Sequence, residues 1–184
     1  MRKLSIAVIA GDGIGPEVIS AARRVVEAVG QRYELACTFE DFGWGAEYYF
    51  QHGRMMPPQA IELLGGFDAI LLGAVGHPDI PDHVTLNGLL LPIRRGLDLY
   101  ANVRPAVLYP GVESPLAGRR AGDIDLVVVR ENTEGEYAQS GGFVYHQQPH
   151  EIAIQTSVFT RRGIERVVRF AFELAVRRNK KRRL

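Results

Sequence analysis

Residues 4–15, LSIAVIAGDGIG, join an apolar run to three glycines at alternate positions, and no other feature limits the fold of this chain so tightly. A seven-residue apolar run ending at glycine reads as a strand buried on both faces. Pro16 stands where a first helical residue belongs, since its missing N–H costs nothing there. Segment 16–29 then places Ile19, Ala22, Val25, Val26 and Val29 on one helical face, with Gly30 as the expected end. A second strand follows around 35–42, and a short helix at 57–66 opens on Pro57 and Pro58. Segment 67–75, FDAILLGAV, reads as a fully buried strand broken by Gly73. Strand, helix and strand with continuous apolar strands predict an α/β fold with a parallel sheet covered on both faces.

The pattern changes further along. Segment 86–100 is amphipathic and predicts a helix, with Pro92 near its beginning. Segment 101–111 reads as an edge strand because of its prolines, and 124–132, IDLVVVREN, as the most apolar strand of the chain. Alternation in HEIAIQTSV predicts a β-hairpin or arm over 141–160. The last helix has Thr160 as its predicted N-cap and Ile164, Val167, Val168, Ala171, Phe172 and Ala175 as its apolar stripe.

Charge placement narrows the function. Of 22 basic residues, six (Arg177, Arg178, Lys180, Lys181, Arg182 and Arg183) fall in the last eight of 184 positions, leaving 16 basic against 21 acidic groups elsewhere. An acidic body with a short basic tail is not the spread basic face of a specific nucleic-acid binder. A single cysteine, Cys37, excludes an internal disulfide and a thiolate metal cluster and favours a cytoplasmic setting. No apolar run approaches a membrane span.

Three features are candidates for chemistry. The turn GDGIGPE lies where a phosphate loop would lie, yet its spacing is G-x-G-x-G and Pro16 removes a donor amide, so a tight structural turn is favoured. Arg130 ends an apolar strand, and Arg104 lies in NVRP beside Asn102. Guanidinium groups match carboxylates in a two-pronged geometry, so these arginines suit a dicarboxylate. Spacing alone leaves functional and solvated readings open for Arg104 and Arg130, and weighs less for Arg94; Arg95, Arg119 and Arg120 read as solvated. Asp79 with Asp82, and Asp123 with Asp125, read as turn and strand-edge residues, so no metal ligand is assigned.

At GDGIGPE, FDAILLGAVGHPDIPDHVTL, LLLPIRRGLDLYANVRP, PGVESPLAGRRAGDIDLVVVRENTEGEY and IQTSVFTRRGIERVVRFAFELA, the chain resembles the isocitrate/isopropylmalate dehydrogenase family. RENTEGEY and GVESPLAGR point to its tartrate/D-malate dehydrogenase (decarboxylating) branch. The resemblance implies a three-layer αβα fold with a β-hairpin dimerisation arm, present here as an N-terminal half. It implies part of a large α/β domain over 1–100 and part of a smaller substrate and dimerisation domain over 101–176. The arm falls at about 137–158 and a basic tail at 177–184.

The resemblance further implies an NAD-dependent, Mg²⁺- or Mn²⁺-dependent oxidative decarboxylase of D-malate, tartrate or 3-isopropylmalate. Arg94, Arg104 and Arg130 match substrate-carboxylate ligands, and Tyr137 the acid that protonates carbon. Gly73, Ala74, Val75, Gly76 and His77 match part of the nicotinamide loop. Asn87 falls at a cofactor-side position where the branch has a bulky aromatic, and its other reading is a helix cap. GDGIGPE is not the family's pyrophosphate cradle. Family members are roughly twice this length, so the catalytic lysine and the metal-binding aspartates are not expected in this chain, nor turnover by it alone. The competing expectation is a non-catalytic module that binds a dicarboxylate or a full-length partner.

Overall fold

The computed structural model describes residues 2–178, in two units divided between Leu97 and Asp98. In the first unit, β1 (Arg2–Gly11) lies between β2 (Leu35–Asp41) and β3 (Ala69–Ala74), parallel to both. Side chains alternate across β1. Ile6 and Val8 face Ile19 of α1 (Gly15–Arg32), whereas Ala7 and Ile9 join Trp44, Met55, Leu64, Leu89 and Ile93 on the other face. Helix, sheet and helices thus form the expected three layers, each fully buried aliphatic side chain contributing about 1.5–3 kcal/mol. The second helical layer comprises α2 (Ala46–His52), α3 (Ala60–Leu64), α4 (Asp82–Thr85), a π-turn (Leu86–Leu90) and α5 (Leu91–Gly96).

Several boundaries and faces differ from expectation. Helix α1 runs past Gly30 to Arg32, and the chain reverses at Glu34, which has φ 55°. Gly30 is instead a contact point, since a Cβ there would lie 3.0 Å from the Leu35 carbonyl oxygen. Close approach at Gly15, Ile19 and Gly30 turns Val25 and Val29 outward, 62% and 45% exposed. Strand β3 continues through Gly73, where a Cβ would meet the Ala10 carbonyl oxygen at 2.2 Å. It is only half-buried because it forms an edge of the sheet. The helical stretch begins at Asp82 and ends at Gly96, so Pro92 falls inside it. Pro92 has no N–H for an α-helical bond, and the wider π-turn ends two residues before it.

In the second unit, β4 (Ala101–Val107) pairs antiparallel with β5 (Asp125–Glu131). Pro105 lies within β4, opposite Val127. The expected apolar strand 124–132 is therefore one half of a two-stranded sheet, which leaves Leu126 and Val128 about half exposed. The hairpin is present as β6 (Gly135–Val144) and β7 (Ile152–Val158), irregular between Gly135 and Ser140, with Gln139 at φ 51°. Alternation in β7 buries neither face: all seven of its residues are exposed. Helix α6 (Arg161–Arg177) is capped by Thr160, whose Oγ1 accepts from the Gly163 amide at 3.0 Å. Val167, Val168, Ala171, Phe172 and Ala175 are half-buried along it as expected, but Ile164 is exposed. The segment expected as a basic tail starts inside α6: Arg177 is its last residue, and Arg178 pairs with Asp125. Residues 179–184, with the remaining basic residues, lie outside the described part. Among the described residues, no helix is long and apolar enough to cross a membrane.

Candidate active site

The glycine turn is occupied by its own chain. Gly11 and Gly13 adopt φ +71° and +54°, and a Cβ on Gly15 would lie 2.1 Å from the Ala10 carbonyl oxygen. Asp12, 8% exposed, accepts from the Ala46 amide at 2.6 Å and from the Gly76 amide at 2.9 Å, while its own amide donates to the Ala74 carbonyl at 2.7 Å. One carboxylate thereby ties the turn to α2 and to the loop after β3. Asp12 was missed in the sequence reading. Its signal is an acidic residue between two glycines, directly after a buried strand.

The cofactor candidates straddle the end of β3: Gly73 and Ala74 are its last two residues, and Val75, Gly76 and His77 begin that loop. Gly76 has φ +151°, with no atom within 4 Å of a would-be Cβ, so its surface is open. The His77 Nδ1 accepts from the Asp79 amide at 3.1 Å, and its ring meets Phe50 edge-on at 5.2 Å. Asn87 is not a helix cap: it lies in the π-turn, and its Nδ2 donates to the His83 carbonyl at 2.7 Å. Arg94 lies in α5, half-buried. Arg95 is likewise half-buried rather than solvated, its Nε donating to the Leu91 carbonyl at 3.4 Å.

Arg104, Arg130 and Tyr137 are brought together in the second unit. Pairing sets Asn102 opposite Arg130 and Arg104 opposite Val128, so period-two alternation puts Asn102, Arg104 and Arg130 on one face. The Arg104 Nε donates to Asn102 Oδ1 at 3.1 Å, and Asn102 Nδ2 donates to Asn132 Oδ1 at 3.3 Å. The same oxygen accepts from Arg130 Nη2 at 3.1 Å. The Arg130 guanidinium carbon then lies 5.2 Å from the centre of the Tyr137 ring. Arg130 Nε is buried and has no acceptor among the described residues. Two permanent cations on one face, one with an unspent donor, can take up an anion. Arg130 lies near the end of its apolar strand as read, but β5 is antiparallel to β4 and not part of the parallel sheet.

The turn after β5 is rigidly held. Burial opposes ionisation of Glu131, but amides of Glu134, Thr133 and Asn132 and the Thr133 hydroxyl hold its carboxyl below the ordinary glutamate range. The Glu134 carboxylate accepts from Thr160 N at 2.8 Å and Oγ1 at 2.6 Å, docking α6. Arg166 donates through Nη1 to both Asp98 oxygens and through Nη2 to Thr133 Oγ1. An open cavity of about 430 Å³ lies here, lined by Asp98, Glu134, Thr160, Arg162 and Arg166, and shares no residue with the arginine face.

Among the described residues, no three His, Cys, Asp or Glu side chains converge to hold a metal ion. Asp79 and Asp123 serve turns, Asp82 starts α4, and Asp125 starts β5.

Comparison with known proteins agrees with this architecture. A model of the isocitrate/isopropylmalate dehydrogenase family matches residues 5–184. The chain is 54% identical over 183 residues to the D-malate dehydrogenase [decarboxylating] of Escherichia coli strain K12, covering 98% of itself and 51% of that protein. It is 52% identical over 178 residues to the tartrate dehydrogenase/decarboxylase of Pseudomonas putida, covering 96% of itself and 49% of the relative. The crystal structure of isocitrate dehydrogenase from Methylococcus capsulatus superposes with a TM-score of 0.78 at 32% identity, over 98% of this chain and 49% of that one. The chain spans about half the length of the curated relatives it matches.

Proposed function

The chain belongs to the isocitrate/isopropylmalate dehydrogenase family, and from that premise we propose that it supplies the substrate-carboxylate face of an NAD-dependent oxidative decarboxylase acting on D-malate-type 2-hydroxy dicarboxylates. The supporting observation is the linked set Arg104, Asn102, Asn132 and Arg130 with Tyr137 beside it. The names of relatives at 50% identity and above, D-malate dehydrogenase and tartrate dehydrogenase/decarboxylase, favour substrates of that size.

In this reading Arg104 and Arg130 each hold a substrate carboxylate, and Arg94 keeps the substrate-ligand role that the family resemblance gives it. Oxidation of the 2-hydroxyl to a ketone leaves a carboxylate β to it. Loss of that carboxylate as carbon dioxide leaves its bonding electrons as an enolate. Tyr137 returns a proton to the carbon that lost carbon dioxide, since a positioned phenol is a competent general acid. NAD, when bound, supplies the hydride acceptor for the first step. Gly76 with its open face, His77 and the rest of segment 73–77 fit the nicotinamide side, and Asn87 falls among the same candidates. The donor set for Mg²⁺ or Mn²⁺ does not fit among the described residues, so no step is assigned to a metal here. The hairpin β6–β7 carries exposed Phe143, Val144, Tyr145, Ile152 and Ile154, which suits pairing with a second copy of the chain.

The test is calorimetric titration of the folded chain with D-malate, L-tartrate and 3-isopropylmalate, with NAD and Mn²⁺ present and NADH followed in parallel. Saturable heat that disappears in Arg104→Ala and Arg130→Ala is expected, without NADH formation by this chain alone. Absence of heat from a soluble, folded chain contradicts the reading.

A further inference from the structure

We propose that Asn132 is a positioning residue that orients both Arg104 and Arg130 toward a dicarboxylate. The inference rests on the carboxylate-binding reading above and adds the group on which it depends. Asn132 is 4% exposed, yet it lies at the end of a strand whose neighbours are mostly half-exposed. A buried polar side chain is retained only where its hydrogen bonds are met. Its Oδ1 accepts from Arg130 Nη2 at 3.1 Å and from Asn102 Nδ2 at 3.3 Å, and its Nδ2 donates to the Leu99 carbonyl at 3.1 Å.

The amide can point only one way. An arginine only donates, so Oδ1 must face Arg130; a carbonyl only accepts, so Nδ2 must face Leu99. Through Asn102, whose Oδ1 accepts from Arg104 Nε at 3.1 Å, the same side chain also sets the second guanidinium. One fixed amide thus governs the separation of two cations. The backbone beneath it is itself fixed by Glu131, which accepts from the Thr133 amide at 2.9 Å, the Glu134 amide at 2.6 Å and the Thr133 hydroxyl at 2.7 Å.

Neither replacement of similar size meets these demands. Aspartate would set a charged oxygen against the Leu99 carbonyl and neutralise part of the Arg130 charge. Leucine matches the volume but removes the acceptor, leaving Asn102 and Arg130 without their shared partner. Both are expected to retain cations on this face but to lose their fixed spacing.

Fixed spacing matters for two carboxylates and little for one, and the test turns on that difference. Affinities for D-malate and for the monocarboxylate D-lactate are measured by calorimetry in the wild-type chain, Asn132→Leu, Asn132→Asp, Asn102→Ala and Arg130→Ala, with thermal unfolding of each. In Asn132→Leu, D-malate affinity is expected to fall about tenfold and the preference for D-malate over D-lactate to fall with it. Asn132→Asp should lower D-malate affinity further, because it also reduces charge. Asn102→Ala, which leaves the Asn132–Arg130 contact in place, keeps the test decisive if an Asn132 variant does not fold, and a smaller loss of the same preference is expected. If the wild-type chain binds D-malate and Arg130→Ala abolishes binding, yet the folded Asn132 and Asn102 variants keep both affinity and preference, the positioning role is overturned and the carboxylate reading stands. If the wild-type chain does not bind D-malate, both fall.

Discussion

Removing the Asp12 carboxylate should destabilise the first unit by several kcal/mol. The side chain is buried and accepts two backbone N–H groups, from Ala46 at 2.6 Å and Gly76 at 2.9 Å. Hydrogen bonds to a charged acceptor contribute about 1.5–3 kcal/mol each, so Asp12→Ala should cost about 3–6 kcal/mol. Asp12→Asn keeps one acceptor oxygen and turns its NH₂ toward the other donor, so it should cost about half as much. Asp12→Glu should not rescue it, because Oδ1 already lies 2.5 Å from where a Cβ on Gly45 would be. Trp44 is the only tryptophan of the chain and lies in the core of this unit, next to Gly45, so its fluorescence reports unfolding there. With a urea m-value of about 1 kcal/mol/M, Asp12→Ala should lower the midpoint by several molar or leave the unit unfolded in buffer. A midpoint shift below about 0.5 M for Asp12→Ala, or equal shifts for alanine and asparagine, would refute the two-donor account.

Other consequences follow from the second unit. A Cβ on Gly163 would lie 2.2 Å from Glu134 Oε2, in a carboxylate held by Thr160, so Gly163→Ala should undock the start of α6. A loss of about 1–3 kcal/mol in chemical denaturation is expected, although alanine favours helices. Glu131 has a lowered folded-state pKa, so its contribution is complete above its unfolded value and is lost as pH falls through the folded one. Stability of the wild-type chain should therefore decline more steeply than that of Glu131→Gln as a titration passes below the ordinary glutamate range. Parallel curves would count against that assignment.

How far the sequence could be read depended on whether a residue's partner was local. Ile6 to Ile9 and 69–74 announce parallel strands because their apolar character persists on both faces, and the structure buries β1 on both. Thr160 is legible as a cap because Gly163, which donates to it, is three residues away. Val25 and Val29 fit a helical apolar stripe equally well on paper, yet glycines at 15 and 30 bring a different face against the sheet. The valines 127–129 look like a buried strand, but pairing with 101–107 in a two-stranded sheet leaves them partly exposed. Arg104 and Arg130 could be named from their neighbours and from family resemblance. Asn132 could not be singled out, because its function comes from Leu99 and Asn102, 33 and 30 residues earlier. Asp12 was obscured likewise, since its partners Ala46 and Gly76 are brought in by the fold.

The most direct test of the carboxylate face is nuclear magnetic resonance of the arginine Nε–H groups during titration with D-malate. Arg130 Nε is buried without an acceptor among the described residues, whereas Arg104 Nε already donates to Asn102. Saturable movement of both resonances is predicted, larger for Arg130, and much weaker with D-lactate at equal ionic strength. If D-malate leaves the Arg104 and Arg130 resonances in place, or moves all exposed arginines alike, these residues do not form the dicarboxylate site.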